Sequence, residues 1–355
     1  MQLLKGSVTG TTGYRSFEPL SKKEWAEVYC LAKMHGMVSV LMRELEKLPK
    51  ASRPPMDMLM FWLGQAAYRE TTYGQQLDLS CEFAAALANE GVKCLVLKGL
   101  AVGSYYPVEK AREFGDLDCF LVKEGELAFK EGNSVGRRLG AKVERSGYKH
   151  THIHYKNLLI ENHEYLTNFN GTKQGVVIEK IMRSLALGGG HRQIGETNLW
   201  IPNAEFNALF LLRHSLGDFL ANDMTIKAVY DWAVFLKAEQ KNIDWKHLGR
   251  LLEECRLMAF FELMTEVAMT YLGLELYSGG MNITSHGRMA DWLMADVLDI
   301  AVASEKKTVC VKAKRLLDRV RRMVKYQGIA TERICTALWT TVRYRQNFDR
   351  NMNLD

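Results

Sequence analysis

Two aspartates separated by a single leucine open an apolar segment, "DLDCFLV". Side chains alternate between the two faces of a β-strand, so Asp116 and Asp118 share one face while Leu117 and Cys119 point the other way. Two neighbouring carboxylates repel each other and lose hydration unless a cation lies between them. Mg²⁺ or Mn²⁺ prefers such oxygen ligands. The pattern therefore predicts a divalent metal site, and the alternative is a pair of exposed acids at a turn.

Basic residues precede this segment at spacings that suit phosphate binding. In "LVLKGLAVGSYY" an apolar run ends at Lys98 and Gly99 and a helix follows, so backbone N–H groups and a lysine charge could hold a phosphate. Arg112, four residues before Asp116, could neutralise the carboxylates or bind a phosphate with two hydrogen bonds. The structural alternatives are a glycine turn with a solvated lysine and an arginine that serves packing.

A third acid follows in the apolar segment "NLLIENHEYL", where Glu161 and His163 occupy same-face positions of a predicted strand. A buried acid needs a partner, and a carboxylate beside Asp116 and Asp118 would complete a two-metal site. The alternative for Glu161 is an edge-strand position. His163 could contact a ligand bound beside these acids, and its alternative is a structural histidine bonded to a neighbouring strand.

The segment "HTHIHY" places three histidines, His150, His152 and His154, on one strand face. Imidazoles bind transition metals. Positions four residues apart on a strand are about 13 Å apart, too far for all three to share one ion, and we favour a structural or solvent-facing role.

Three further polar residues lie in predicted helices. His214 and Asp218 are one helical turn apart and could line the same cleft. Asp231 lies among apolar residues in "YDWAVF", which predicts a buried acid with a cationic partner.

The elements that must position these residues follow from periodicity. Helices are predicted over residues 21–47, with "SKKE" as a capping box, and over 58–89 and 100–106, and another in "EGELAFKEGNSVGRRLG". Strands are predicted over residues 93–97 and 116–122, with two or three antiparallel strands in residues 141–166 and a hairpin around His191. Beyond Trp200 the spacing is helical, with a last helix near residues 332–345. This order predicts an α+β fold with a mixed sheet.

The change of texture near residue 199 divides the chain into three predicted parts. Residues 1–90 form an N-terminal helical region that packs on the catalytic unit. Residues 91–199 form the sheet-bearing core, and residues 200–355 form an all-α region with a basic tail.

Composition limits the class of protein. The chain has 355 residues and a net charge of +6, but residues 305–355 alone carry +8. The seven cysteines form no CxxC pair, which favours a reducing cytoplasm over a disulfide scaffold. The first ten residues contain no apolar h-region, and no apolar run approaches the roughly 18 residues of a membrane span. We therefore predict a cytoplasmic protein.

The basic excess falls largely on one predicted helix. Its cationic residues are Lys312, Lys314, Arg315, Arg319, Arg321, Arg322 and Lys325, and its apolar side is Leu316, Leu317, Val320 and Val324. This helix could contact the phosphates of a nucleic acid, although the solvated face of an amphipathic helix is the favoured interpretation.

The combined pattern, Leu97-Lys98-Gly99, then Arg112, then Gly115-Asp116-Leu117-Asp118, resembles the "LKG…R..GDID.LV" core of a bacterial uncharacterised nucleotidyltransferase family. That family belongs to the superfamily with the polymerase-β-like fold. Residues 161–163 match its downstream "E-x-H" strand, and the likeness spans roughly residues 91–236.

The resemblance implies transfer of a nucleoside monophosphate from a nucleoside triphosphate such as ATP to a hydroxyl group, with release of pyrophosphate. It implies Mg²⁺ or Mn²⁺ on Asp116, Asp118 and Glu161, and phosphate contacts from Lys98, Gly99 and Arg112. It also implies that His163 contributes to nucleotide or acceptor binding. The nucleobase and the acceptor, whether small molecule, protein or nucleic acid, stay open.

Two other functions remain open at the level of sequence. One is a non-catalytic nucleotide-binding or regulatory module on a degenerate transferase scaffold. The other is a glycosyltransferase in which the D-x-D pair holds a metal and a nucleotide sugar, although that function gives Glu161 no role.

Overall fold

The computed structural model describes residues 1–11, 13–14, 17–167, 173–221, 224–299, 317 and 320–329. The predicted helix near residues 332–345 lies outside the described residues. So do four cations of the predicted basic helix and one residue of its apolar side: Lys312, Lys314, Arg315, Arg319 and Leu316.

The helices that the structure describes are α1 Gln2–Thr9, α2 Lys22–Met34, α3 Val38–Leu45, α4 Met56–Ala88, α5 Leu100–Gly103, α6 Phe129–Arg138, α7 Lys173–Leu187, α8 Ala204–Ala221, α9 Ile226–Glu239, α10 Trp245–Glu254, α11 Met258–Leu272 and α12 Arg288–Leu298. Short 3-10 turns cover Lys50–Ser52 and Glu109–Ala111. The strands are β1 Lys93–Val96, β2 Asp116–Lys123, β3 Glu126–Leu127, β4 Lys142–Ser146, β5 His150–Tyr155, β6 Leu158–His163, β7 Arg192–Gln193 and β8 Leu199–Ile201.

The strands form one mixed sheet in the order β4-β5-β6-β2-β1-β8-β7, with β3 paired to β2. The β2–β6 and β1–β8 pairs are parallel, and the other pairs are antiparallel. This arrangement confirms the predicted α+β class with a mixed sheet and the predicted antiparallel strands between residues 141 and 166. The proposed boundary at residue 199 falls within the hairpin β7–β8, and the division into three parts remains a prediction.

Each face of the sheet packs against a different set of helices. On one face Leu117, Cys119 and Leu121 contribute to a core with Phe83 and Leu87 of α4. On the other face Phe120 and Val122 join the larger core that includes α8, α9 and α11. Because Asp116 and Asp118 share the face of Phe120, the carboxylates point toward the helical region, at the end of β2 where the apolar core stops.

Local chemistry explains several element boundaries. The capping box at the start of α2 is confirmed, since Ser21 Oγ accepts from Glu24 N and the Glu24 carboxylate accepts from Ser21 N at 2.7 Å. The single predicted helix over residues 21–47 is two helices in the structure. The chain turns at Gly36, whose φ of 64° suits glycine.

The predicted helix over residues 100–106 is wrong in length, because α5 ends at Gly103 and residues 104–106 form a turn. Helix α7 was not predicted from the sequence.

The described part of the basic helix, residues 320–325, buries a different face from the predicted one. Met323 and Tyr326 are 2% and 1% exposed, whereas Leu317 and Val324 are more than half exposed. The reason is tertiary: Arg322 donates to the carbonyl oxygens of Phe219 and Asp296, which orients this segment. No helix within the described residues combines the length and hydropathy needed to cross a membrane.

Candidate active site

Two parallel strands bring the three predicted acids together. Register pairs Asp118 of β2 with Glu161 of β6, and Asp116 lies two residues earlier on the same face of β2. Parallel neighbours at the same level of a sheet lie about 4.8 Å apart. The chain therefore presents three carboxylates on one face from two adjacent strands.

These acids open onto a cleft of about 360 Å³, which we call the β2 cleft. Its lining consists of Lys98, Gly99, Arg112, Glu113, Phe114, Gly115, Asp116, Asp118, Lys149, Glu161, Phe210, His214 and Lys227. Six of the seven predicted site residues thus lie at one cleft. The seventh, His163, is buried behind it, with a side chain 1% exposed.

The three acids differ in electrostatic environment. Burial raises the pKa of Asp116 to about 6, and the charges of Asp118 and Glu161 add to that effect. Burial also opposes ionisation of Asp118, but the hydrogen bond and charge of His163 outweigh it and hold the pKa of Asp118 below its usual range. The pKa of Glu161 is likewise lowered, since contacts with His163 and His150 offset its burial. The cleft therefore holds three acids whose ionisation differs with their burial and with their partners.

His163 supports Asp118 from inside the protein. Its Nε2 lies 3.1 Å from Asp118 Oδ1, and its Nδ1 lies 3.2 Å from the carbonyl oxygen of Tyr165. Both ring nitrogens face acceptors, and an imidazolium with two N–H donors satisfies both. Burial and the charge of Lys149 lower the pKa of His163, but the hydrogen bonds to Asp118 and Glu161 outweigh them and raise it. The imidazole is thus placed to orient Asp118 rather than to meet a ligand in the cleft.

Three lysines line the cleft together with the acids. Lys98 follows β1, Lys149 precedes β5, and Lys227 lies in the first turn of α9. Burial lowers the pKa values of Lys149 and Lys227. Among the described residues, the Lys227 ammonium makes one hydrogen bond, to the carbonyl oxygen of Glu113 at 3.4 Å, and it has three N–H donors.

Gly99 connects β1 to α5 with φ 48° and ψ −111°, a conformation that disfavours other residues. Helix α5 has only four residues, so its dipole is small. The contribution of Gly99 is therefore the close approach of its backbone to the cleft.

Arg112 lies at the cleft wall, but its guanidinium is bound elsewhere. Its Nε and Nη2 donate to the two carboxylate oxygens of Asp231 at 3.0 and 2.8 Å, and the Tyr106 hydroxyl donates to the same carboxylate at 2.6 Å. Burial opposes ionisation of Asp231, but the charge of Arg112 outweighs it and lowers the pKa. The predicted cationic partner of Asp231 is confirmed, and the pair joins the segment before β2 to helix α9.

His214 of α8 lies at the cleft, as expected from its helical position. Its Nε2 contacts Lys98 Nζ and lies 3.2 Å from Asp218 Oδ2. The ring of Phe210 stacks on the ring of His214 with centroids 6.2 Å apart. This face offers a flat aromatic surface beside the lysines.

The other histidines lie next to Glu161. His150 Nε2 and His152 Nε2 are 3.2 Å apart, and they lie 3.6 and 3.4 Å from oxygens of Glu161. His154 instead contacts Glu144 at 2.9 Å. As predicted, the three histidines do not converge on one point.

Within the described ranges, two sets of three residues have potential metal-binding atoms within 4.8 Å of one another. They are Glu144, His152 and His154, and His150, Glu161 and His163. The triad Asp116, Asp118 and Glu161 is not such a set, because Glu161 is turned toward the histidines. Sequence reasoning missed Lys149 and Lys227 as cleft residues, since a single lysine at a turn or helix start carries no distinctive signal.

Comparison with curated proteins gave no significant match, and neither did comparison with solved structures. The family described as "Uncharacterised nucleotidyltransferase" matches residues 21–273, well over half of the chain. The matched region contains the whole mixed sheet and the β2 cleft, and its α+β architecture is consistent with a nucleotidyltransferase fold. On this match, the chain belongs to the uncharacterised nucleotidyltransferase family.

Proposed function

We propose that the protein transfers a nucleoside monophosphate from a nucleoside triphosphate to a hydroxyl-bearing acceptor, releases pyrophosphate, and depends on Mg²⁺ or Mn²⁺. One observation carries this proposal: β2 and the parallel β6 present Asp116, Asp118 and Glu161 on one face, at a cleft that three lysines also line. Family membership supports the reaction class, and the substrate and metal are our inference.

The donor set fits a hard divalent cation. All three residues offer carboxylate oxygens, which Mg²⁺ prefers. Burial, with the charges of Asp118 and Glu161 added, raises the pKa of Asp116 to about 6, and a bound cation would favour its ionised form. When bound by these residues, the metal would supply charge stabilisation at the phosphates and a more acidic acceptor hydroxyl.

The side chains of this chain have distinct proposed roles. Lys98, Lys149 and Lys227 bind triphosphate oxygens, because three ammonium groups lining one cleft match the charge of a polyanion. The backbone at Gly99 approaches the same oxygens. Glu161, beside Asp118, is the group best placed to accept the proton of the acceptor hydroxyl.

Two predicted contacts take a different form in this proposal. His163 acts through Asp118, which it holds ionised and oriented from behind, rather than through the nucleotide. Arg112 stabilises the cleft wall through Asp231 and adds positive charge near the phosphates without leaving that pair.

The test is pyrophosphate release from each of the four ribonucleoside triphosphates with Mg²⁺, in the presence of fractionated cell extract as a source of acceptors. We expect release with at least one nucleotide. Asp118→Asn should lower the rate by at least about 100-fold, the order that loss of one transition-state-stabilising group costs. Asp57→Asn, an exposed position on α4, is the matched control and should keep the rate.

Nucleotide binding that requires Mg²⁺ but gives no pyrophosphate in any fraction would favour the regulatory-module alternative. Release that persists in Asp118→Asn would contradict the assignment of the site.

A further inference from the structure

We propose that His150, His152 and Glu161 form a binding site for a transition-metal ion such as Zn²⁺, which shares Glu161 with the Mg²⁺ site assigned above. All three side chains lie on the same face of the antiparallel pair β5–β6, where register places His152 opposite Glu161. This site does not depend on the proposed transfer reaction, although it uses one of its acids.

The spacing of the donor atoms matches tetrahedral coordination. A tetrahedral ion with bonds of 2.0–2.1 Å sets its ligand atoms about 3.3 Å apart. His150 Nε2 and His152 Nε2 are 3.2 Å apart, His152 Nε2 lies 3.4 Å from Glu161 Oε1, and His150 Nε2 lies 3.6 Å from Glu161 Oε2. The two imidazole nitrogens thus lie close to the required spacing, and each has a different oxygen of the Glu161 carboxylate within 3.6 Å.

The chemistry of the donor set selects the kind of metal. Two imidazoles and one carboxylate suit Zn²⁺ and Fe²⁺, whereas Mg²⁺ prefers oxygen ligands alone. The side chains of His150, His152 and Glu161 are 16%, 25% and 19% exposed, so an ion can reach them from solvent. Three protein ligands leave a fourth position for water.

The neighbouring set, Glu144, His152 and His154, is a poorer candidate because its carboxylate already has partners. Glu144 Oε2 lies 2.5 Å from Lys142 Nζ, and Glu144 Oε1 lies 2.9 Å from His154 Nε2. His163 is also committed, since its two nitrogens face Asp118 and Tyr165. Glu161 lies 3.6 Å from His163 Nε2, but among the described residues neither it nor the two histidines pairs with a lysine.

Sharing of Glu161 has a consequence for the proposed reaction. An ion on the two imidazoles would hold Glu161 away from Asp116 and Asp118, so a transition metal at this site should inhibit a Mg²⁺-dependent reaction at the β2 cleft.

The experiment titrates the full-length, tag-free protein with Co²⁺ and records the visible absorption that tetrahedral Co²⁺ gives, then measures Zn²⁺ affinity by competition. We expect one equivalent of tetrahedral Co²⁺ that Zn²⁺ displaces. His152→Ala should weaken binding by at least about 100-fold, because loss of outer-shell partners alone costs about 10–100-fold. His154→Ala is the matched control, two residues along the same strand face, and should leave the affinity unchanged.

Asp116→Asn separates the two sites. It should leave the tetrahedral Co²⁺ signal intact, whatever its effect on pyrophosphate release, so failure of the transfer reaction and failure of this site are distinguishable. Circular dichroism of each variant checks that the fold is kept. Absence of a tetrahedral signal in the wild-type protein would overturn the proposal. So would equal losses in His152→Ala and His154→Ala, which would assign the ion to the Glu144 cluster.

Discussion

The buried pair of Arg112 and Asp231 gives the sharpest prediction about stability. Both side chains are nearly inaccessible, at 2% and 4% exposed. The Asp231 carboxylate accepts three hydrogen bonds, two from Arg112 and one from Tyr106. Asp231→Ala would leave a guanidinium buried without its counter-charge, which costs about 3–5 kcal/mol. Loss of the two hydrogen bonds to Arg112 leads to a similar free-energy cost, since each hydrogen bond to a charged group contributes about 1.5–3 kcal/mol.

The assay is urea unfolding followed by tryptophan fluorescence, with the midpoint compared at equal m-value. Asp57→Ala is the control, because it breaks an ion pair of similar length with Lys22 whose side chains are more than 60% exposed, and it should give no measurable loss. The double variant Arg112→Met with Asp231→Leu should recover most of the stability, since it leaves no charge buried.

Two results would refute this reasoning. One is a loss in Asp231→Ala no larger than in the control, and the other is a double variant as unstable as the single one. Nucleotide affinity adds a readout for the role of Arg112. If Arg112→Met weakens nucleotide binding far more than Asp231→Ala does, then Arg112 contacts phosphate directly.

Three further predictions concern packing, pH and substrate binding. Gly132→Ala should destabilise the fold by about 1–3 kcal/mol, because a Cβ there would lie 2.2 Å from Leu121 Cδ1. Gly64→Ala, at an open position of α4, should stabilise the fold by about 0.5–1 kcal/mol. Urea midpoints equal to that of the wild type would contradict both predictions. His35 is buried and its Nδ1 accepts from Ile226 N, and burial lowers its pKa. The unfolded chain therefore takes up this proton first, so the contribution of His35 to stability is full above about pH 6.5 and falls as the pH drops below it. His35→Gln should remove that part of the pH dependence of unfolding. If the urea midpoints of the variant fall with pH as steeply as those of the wild type, His35 is not the group responsible. Lys149→Met should raise the KM for the nucleotide about tenfold with Mg²⁺ present, whereas an unchanged KM would remove Lys149 from the phosphate contacts.

Much of the local architecture was predictable from short-range patterns. The alternation of "DLDCFLV" was enough to place Asp116 and Asp118 on one face, because strand periodicity is a local property. The Ser21 capping box and the long helix α4 were likewise predictable, since capping and helical spacing act within a few residues. The apolar context of Asp231 was enough to predict a buried acid, though not the identity of its partner.

Local patterns failed where a distant contact decided the outcome. Residues 320–325 contain apolar side chains on more than one side, and the contacts of Arg322 with Phe219 and Asp296 determined that Met323 rather than Val324 is buried. Helix α5 was predicted too long because the turn that ends it leads into the segment held by Arg112.

The sequence by itself determined which residues could do chemistry here: a same-face acid pair, a third acid with a same-face histidine, and a lysine-glycine turn after a buried strand. The tertiary structure alone decided that β2 and β6 run parallel with Asp118 beside Glu161, and that Lys149 and Lys227 reach the same cleft. It also decided that His163 stands behind Asp118 and that Glu161 turns toward His150 and His152. The physical reason is that strand register and helix docking are fixed by the burial of whole apolar faces, over separations of tens of residues at which no local spacing carries information.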